Sequence, residues 1–459
     1  MATKYDAIIV GAGQAGPPLA GRLTAVGQSV AVIERKLVGG TCVNYGCIPT
    51  KTLVASAHTA HVARRGADYG ISTRDVTVDM AMVKARKDGV MLDDRHGVES
   101  WLEGMDGCTL IRGHARFEGP TTIRVDDQVL ESDRIFLNVG GRATVPDIEG
   151  LADVDYLTNV GILDLDVLPE HLVIIGASYI GLEFAQMYRR FGARVSVVER
   201  GSRVTSREDE DVSAAIQQIL EAEGIDVHLD ATGMRIVKHA NGSDEFDLYP
   251  RDGAEPISGS HLLVATGRRP NTDDLGLDVA GIETDARGYV TVDDQLRTNV
   301  EGVWAMGDCN GKGAFTHTSY NDFEIVAANL LDDDPRRVSD RVPTYALYID
   351  PPLGRAGMTA TEVRKSGRKA LVGTRPMTKV GRAVEKGETQ GFMKVVVDAE
   401  THEILGASIL GVGGDEVVQD ILDVMSAKLP YTAISRTMHI HPTVSELVPT
   451  MLQELTPLE

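Results

Sequence analysis

The sequence predicts an α/β fold: two copies of one strand–glycine turn–helix–strand unit, followed by a smaller α+β domain. Three observations carry the prediction. A G-x-G-x-x-G run at 11–16 ends a short apolar strand, and a closely similar run at 176–181 ends another. In both copies an acidic residue closes the second strand 23 positions after the first glycine, Glu34 after Gly11 and Glu199 after Gly176. Beyond the Asp-rich stretch 331–337 the pattern changes to alternating strands and a helix, which marks a separate domain. One glycine turn alone is a weak signal; two with matched acidic ends define a repeated module.

The apolar, β-branched run 7–10 reads as the first strand, with a helix to about 26 and a second strand at 29–33. The second copy has a strand at 172–175, a helix to about 191 and a strand at 194–198. In such a turn Gly11 permits the tight bend, Gly13 lets the backbone approach a pyrophosphate, and Gly16 lets the helix pack on the strand. The helix start then offers free N–H groups and a positive dipole end to phosphate. Pro17 and Pro18 are compatible with this, because the first helical turn does not use its N–H groups. Gly176 and Gly181 repeat the outer positions, and Ser178 at the middle one is still small. Glu34 and Glu199 are placed to hold ribose hydroxyls. Glu199 repels a 2′-phosphate and favours NADH, while Arg200 beside it pulls towards NADPH.

The segments 135–142 and 262–269 are apolar strands that reach glycine at Gly140 and Gly267, and each leads into a proline. They read as crossovers between the two modules. The expected organisation is a first dinucleotide-binding domain at 1–145 and 270–335 and a second at 146–269. The last domain covers 336–459, with strands at 392–397 and 404–410 and a helix at 416–427.

At roughly 150 residues per domain, 459 residues make two or three, with ample material for real cores. The 42% apolar and 25% charged fractions exclude a disordered, collagenous or coiled-coil chain. A net charge of −21 opposes phosphate backbones, so nucleic acid and anionic membrane surfaces are not expected partners. No apolar run approaches the ~18 residues of a membrane span, and the N-terminus lacks a signal-peptide layout. Four cysteines are too few for a secreted disulfide scaffold. The expected location is the cytoplasm.

The sharpest local signal is GGTCVNYGCIPTK at 39–51. Cys42 and Cys47 could be inert thiols, two ligands of a metal or a redox disulfide. A metal site needs three or four ligands, and Cys108 and Cys309 stand alone in the sequence, so no metal is expected. In a regular helix an i, i+5 pair lies ~8–9 Å apart, beyond bridging distance, so a disulfide requires an irregular turn. Gly46 and Pro49 can supply one. Cys47 then falls near the start of a helix at about 49–65, a position that stabilises a thiolate.

This segment resembles the redox-active motif of the flavin-dependent pyridine nucleotide–disulfide oxidoreductases, which include dihydrolipoamide dehydrogenase, glutathione reductase and mercuric reductase. The resemblance extends over essentially the whole chain. TNVEGVWAMGD at 298–308 is similar to the family's second FAD motif, in which the residue at Asp308 holds the ribityl chain. The resemblance implies that Glu183 pairs with Lys51 near the flavin and that Tyr179 gates the nicotinamide pocket. Gly40, Thr41, Gly140, Gly267 and Gly307 complete the implied cofactor contacts. The HIHPTVSE run at 439–446 is similar to the terminal motif, which implies that His441 is the acid/base and Glu446 its orienting partner. In the family that histidine serves the active site of the other subunit of a homodimer. The implied fold is two Rossmann-like domains, for FAD and NAD(P)H, plus a C-terminal α+β dimerisation domain.

The implied activity carries electrons from NAD(P)H through FAD to the Cys42–Cys47 disulfide and on to a small oxidised acceptor. Several segments are similar to the bacterial reactive-chlorine-resistance flavoproteins that reduce hypothiocyanous acid. These are CIPTKTLV at 47–54, FTHTSYND at 315–322, PPLGRAGMT at 351–359 and LPY at 429–431. Dihydrolipoamide dehydrogenase is the first alternative. A mercuric reductase-like flavoprotein is the second, but the sequence ends at 457–459 without that branch's vicinal cysteines.

Overall fold

The computed structural model describes residues 2–240 and 245–459. Strand β1 (Ala7–Val10) is buried along its length and lies parallel to β2 (Val30–Glu34), with Ala7 opposite Val30 and Val10 opposite Ile33. Between them runs α1 (Gly16–Ala25), whose prolines sit in its first turn and whose Leu19, Ala20 and Leu23 face the core. Three helices follow: α2 (Gly40–Tyr45), α3 (Cys47–Arg64) and α4 (Met80–Glu103). Strands β3 (Cys108–Arg112) and β4 (Ile135–Leu137) then join the sheet beside β2 and β1. Strands buried on both faces read as continuous apolar runs, which is why β1 and β2 stand out in the sequence. The antiparallel strands Ala115–Gly119, Thr122–Val125 and Gln128–Glu131 do not stand out, because they are short and bury only part of their residues.

The chain next builds a second parallel sheet. Its strands are β5 (His171–Ile175), β6 (Arg194–Val198), β7 (Asp226–His228) and β8 (His261–Val264), with α5 (Tyr179–Phe191) between the first two. The order is β8-β5-β6-β7, with Tyr156–Leu157 outside β8. The two crossover segments are hydrogen-bonded to each other, Gly141–Ala143 antiparallel to Arg268–Pro270. Strand β9 (Val303–Ala305) then returns to the first sheet beside β4, and α6 (Thr316–Leu331) follows it.

The last sheet is antiparallel, formed by β10 (Thr344–Leu347), β11 (Leu353–Gly357), β12 (Ala370–Pro376), β13 (Phe392–Asp398) and β14 (Ile404–Leu410). Its order is β10-β11-β14-β13-β12, with Thr456–Pro457 on the outer edge, and α7 (Gly414–Ser426) packs on it. One apolar cluster joins all three regions. It includes Leu53 and Ala57 of α3, Leu172 of β5, Leu182 of α5 and Leu347, Leu353 and Leu410 of the last sheet. Close packing of this kind holds α3, α5 and the chain after β10 in fixed relative positions. Those three segments carry Lys51, Glu183 and Tyr348.

Candidate active site

The two glycine turns are built alike. Gly11 has φ +104° and Gly176 has φ +111°, a region that strains any side chain. A Cβ on Gly11 would collide with the carbonyl of Asn138, and one on Gly176 would lie 2.5 Å from that of Ala265. Gly16 and Gly181 each press against the carbonyl of the first glycine of their own turn. The acidic residues also match. Glu34 accepts from Ala12 N at 3.0 Å and Lys36 N at 2.8 Å. Glu199 accepts from Ala177 N at 2.9 Å and Gly201 N at 2.8 Å. Each carboxylate thus braces its own turn while lining the cavity, and keeps lone pairs for a further donor.

That cavity measures about 2430 Å³ and runs from Gly11, Gly13, Glu34 and Gly40 past Cys42 and Cys47 to Gly176, Tyr179, Glu199 and Arg200. A drug-sized ligand needs about 300–1,000 Å³, so there is room for two dinucleotides. The residues fit FAD: a Cβ on Gly40 would lie 2.8 Å from Gly13 Cα, so side-chain-free backbone lines the wall there. Asn138, which the sequence reading missed, accepts from Gly16 N at 3.2 Å and donates to Met306 O at 3.2 Å. Gly140 and Gly267 also line the cavity. Burial raises the Asp308 carboxyl against the pull of Arg268, whose Nε lies 3.4 Å away. Arg268 also donates to Thr41 Oγ1 at 3.2 Å and to the Gly141 carbonyl. Gly307 has φ +73°, and its N–H donates at 2.7 Å to the buried Asp322.

The predicted irregularity between the cysteines is a helix break at Gly46 (φ −139°, ψ −117°) between α2 and α3. A Cβ there would lie 2.9 Å from Thr41 O, so the tight approach needs glycine. The helix starts two residues before the expected position, and Cys47 is its first residue. Cys42 and Cys47 are unbridged and in hydrogen-bond contact with each other. The bond from Cys42, with help from Thr316 and the Lys51 charge, outweighs burial and brings the Cys47 thiol down to about 6. The same bond, together with burial, raises Cys42. The two sulfurs are therefore unlike, Cys47 favouring the thiolate and Cys42 the thiol.

One turn along α3, Lys51 Nζ donates to Glu183 Oε2 at 2.7 Å. Glu183 is 4% exposed, and its other oxygen accepts from Tyr348 N at 3.0 Å. The Tyr348 ring lies 4.6 Å below Lys51 Nζ, a contact the sequence did not suggest. Tyr179 meets Phe315 at 5.7 Å and Tyr345 at 5.3 Å between ring centres, while Tyr345 bonds to Glu208. Far along the chain, His441 Nδ1 lies 2.8 Å from Glu446 Oε2. The His441 side chain is 81% exposed, and Met438 and Ile440, just before it in the chain, are also exposed. Of the other cysteines, Cys309 is buried against the carbonyls of Leu137 and Met306, which pushes its thiol up to about 12. Cys108 lies on β3, and burial raises it too. Among the described residues no group of three His, Cys, Asp or Glu is placed to hold a metal, and no helix is long and apolar enough to cross a membrane.

Two nucleotide-sized glycine cradles meeting at a cysteine pair define an oxidoreductase of the flavin–disulfide class. Residues 5–322 match the family described as "Pyridine nucleotide-disulphide oxidoreductase", and 343–452 match its dimerisation domain. The chain belongs to this family, whose members are FAD-dependent enzymes using pyridine nucleotides. It is 36% identical over 452 residues to the probable pyridine nucleotide-disulfide oxidoreductase RclA of Escherichia coli K12, covering 96% of this chain and 97% of that protein. It is 33% identical over 460 residues to a mercuric reductase of Streptomyces lividans, covering 99% and 97%. Among solved structures, the HOCl-induced flavoprotein disulfide reductase RclA from Escherichia coli superposes with a TM-score of 0.89 at 35% identity, over 98% of this chain and 100% of that one.

Proposed function

We propose that this chain transfers electrons from NADH through FAD and the Cys42–Cys47 pair to a small oxidised acceptor, of the hypothiocyanite type or a low-molecular-weight disulfide. Bound FAD supplies what side chains cannot, taking a hydride from reduced nicotinamide and passing the electron pair to sulfur. Residues 1–145 and 270–335 would hold FAD and residues 146–269 the nicotinamide nucleotide, while 336–459 would form the face of a homodimer. Gly11, Gly13, Gly16, Gly40, Thr41 and Asp308 would line the FAD site. Gly176, Gly181, Glu199 and Arg200 would line the other, with Tyr179 over the nicotinamide.

The observation that carries this reading is the asymmetry of the two sulfurs, one lowered and one raised, on the wall of a cavity that both glycine cradles share. Opening the bridge consumes two electrons and one proton, leaving a thiolate on Cys47 and a thiol on Cys42. Cys42 then attacks the acceptor's sulfur and expels the first product, and Cys47 attacks Cys42 to release the second and restore the bridge. His441 of the partner subunit would supply and remove the protons, oriented by the partner's Glu446. The exposed Met438 and Ile440 support such an arrangement, since a partner surface would cover them.

The run 315–322, similar to the reactive-chlorine-resistance branch, supports this reading over a dihydrolipoamide dehydrogenase. Cys309 is too buried to act as a second thiol for a soft metal. An anaerobic titration with NADH, followed by steady-state comparison of hypothiocyanite, glutathione disulfide, lipoamide and Hg(II), tests the proposal. Uptake of two electron pairs, and highest turnover with one of the first two acceptors, is expected. Uptake of a single pair, or turnover with oxygen alone, would overturn it.

A further inference from the structure

We propose that the Thr316 hydroxyl is a catalytic hydrogen-bond donor to Cys47, and the one that keeps this sulfur ionised while Cys42 is bound to the acceptor. The inference rests on the reading above, in which Cys47 is the standing thiolate of the pair. Thr316 Oγ1 lies 3.1 Å from Cys47 Sγ, across 269 residues of sequence. A thiolate carries no proton, so in the reduced state only the hydroxyl can donate.

The placement is fixed from several sides. Thr316 is the first residue of α6, and its branched side chain has few rotamers. The preceding Phe315 ring is stacked on Tyr345 at 5.5 Å and on His317 at 5.4 Å. His317 Nε2 lies 2.8 Å from Thr344 O, which ties the first turn of α6 to β10. Farther along α6, Asp322 is fully buried and accepts from Gly307 N and Asn310 Nδ2, and it pairs with Arg341. The hydroxyl therefore stands on a platform clamped to the rest of the fold.

The charged and titratable groups around Cys47 do not make this donor redundant. Lys51 favours the thiolate, but its ammonium is shared with Glu183, which opposes it. The Cys47 charge helps keep the Tyr348 phenol protonated, so that ring brings no charge of its own to the sulfur. That leaves Cys42 and Thr316 as the side chains in hydrogen-bond contact with the sulfur among the described residues. Cys42 gives up its S–H when it forms the mixed disulfide with the acceptor. During that interval, before Cys47 must attack, Thr316 is the side-chain hydrogen-bond donor that remains, added to the start of α3 at which Cys47 sits.

Cys42→Ala imitates the interval, because residue 42 then has no S–H to offer. The test measures the pH dependence of iodoacetamide alkylation of Cys47 in FAD-loaded Cys42→Ala, Cys42→Ala/Thr316→Val and Cys42→Ala/Thr316→Ser proteins. The Val variant is expected to raise the half-point by about one pH unit and the Ser variant to restore it. Equal half-points in all three would overturn the proposal. If the Val protein does not retain FAD, Thr316→Ala takes its place under the same criterion. A Cys42→Ala parent whose Cys47 ionises like an ordinary thiol would instead refute the assignment of Cys47 as the standing thiolate, so the two failures are distinct.

Discussion

Glu183 uses its two carboxylate oxygens on different segments, accepting from Lys51 Nζ at 2.7 Å and from Tyr348 N at 3.0 Å. This one buried carboxylate thereby joins α3, α5 and the chain just after β10 beside the reactive sulfurs. Replacing its ammonium partner exposes the cost of burial. Lys51→Met is expected to lower stability by about 2 kcal/mol, because a buried charged acceptor loses its ionic donor. Glu183→Gln in the Lys51→Met background should recover much of that loss, as read by urea denaturation of the holoenzyme. The effects on Cys47 have opposite signs. Lys51→Met should raise its ionisation midpoint and Glu183→Gln alone should lower it, since lysine favours and glutamate opposes the thiolate.

Cys47 also makes stability depend on pH. Its hydrogen bond from Cys42, together with Thr316 and Lys51, lowers the folded thiol to about 6 from an ordinary 9.0. Between those values the unfolded chain binds the proton that the native state has released, so stability rises with pH through this window. The gain is complete above the unfolded value and is lost as pH falls through the folded one. Reduced holoenzyme compared with reduced Cys47→Ser should show a stability difference that grows from pH 6 to pH 9. A pH-independent difference would contradict the thiolate assignment.

The glycine turns separate the two nucleotide sites experimentally. A Cβ on Gly181 would collide with the Gly176 carbonyl, in the second cradle only. Gly181→Ala is expected to yield a yellow protein that retains FAD and that NADH reduces at least about 100-fold more slowly. Gly16→Ala makes the equivalent collision in the first cradle and should yield protein without flavin. Glu199→Ala, tested by the ratio of kcat/KM for NADH and NADPH, should narrow the proposed preference for NADH. An unchanged ratio would remove Glu199 as its source.

What the sequence could reveal depended on distance along the chain. Gly11 with Glu34, Gly176 with Glu199 and Cys42 with Cys47 are local patterns that spacing and simple geometry singled out, whereas His441 with Glu446, though equally local, came from the family resemblance. Lys51 and Glu183 lie 132 residues apart, and only a family resemblance connected them. Thr316, Tyr348, Asn138 and Arg268 had no local pattern, because each acts through a contact that exists only after the sheets have packed. FTHTSYND at 315–322 was visible as a lineage marker with no chemistry attached. The fold shows two of its contacts, Thr316 with Cys47 and Asp322 with the Gly307 turn. The flanking antiparallel strands at 115–131 escaped notice because they are short and only partly buried.

The assignment of His441 to the neighbouring active site makes a prediction that no single-chain mechanism shares. His441 is exposed and bonded to Glu446, so within one chain it is oriented but faces outward. His441→Gln should reduce turnover by about 100-fold or more while FAD stays bound, the usual effect of losing a general acid/base. Cys42→Ser should be inactive for a different reason. In a hybrid dimer of the two variants, one site combines an intact Cys42 with His441 of the partner subunit, and the other site has neither. Equal mixing with subunit exchange makes about half the dimers hybrid, so turnover should recover to about one quarter of wild type. If acid/base and thiol came from the same chain, every site in every dimer would lack one of them. Turnover would then stay at the level of the separate variants, and the exchange experiment would exclude a shared active site.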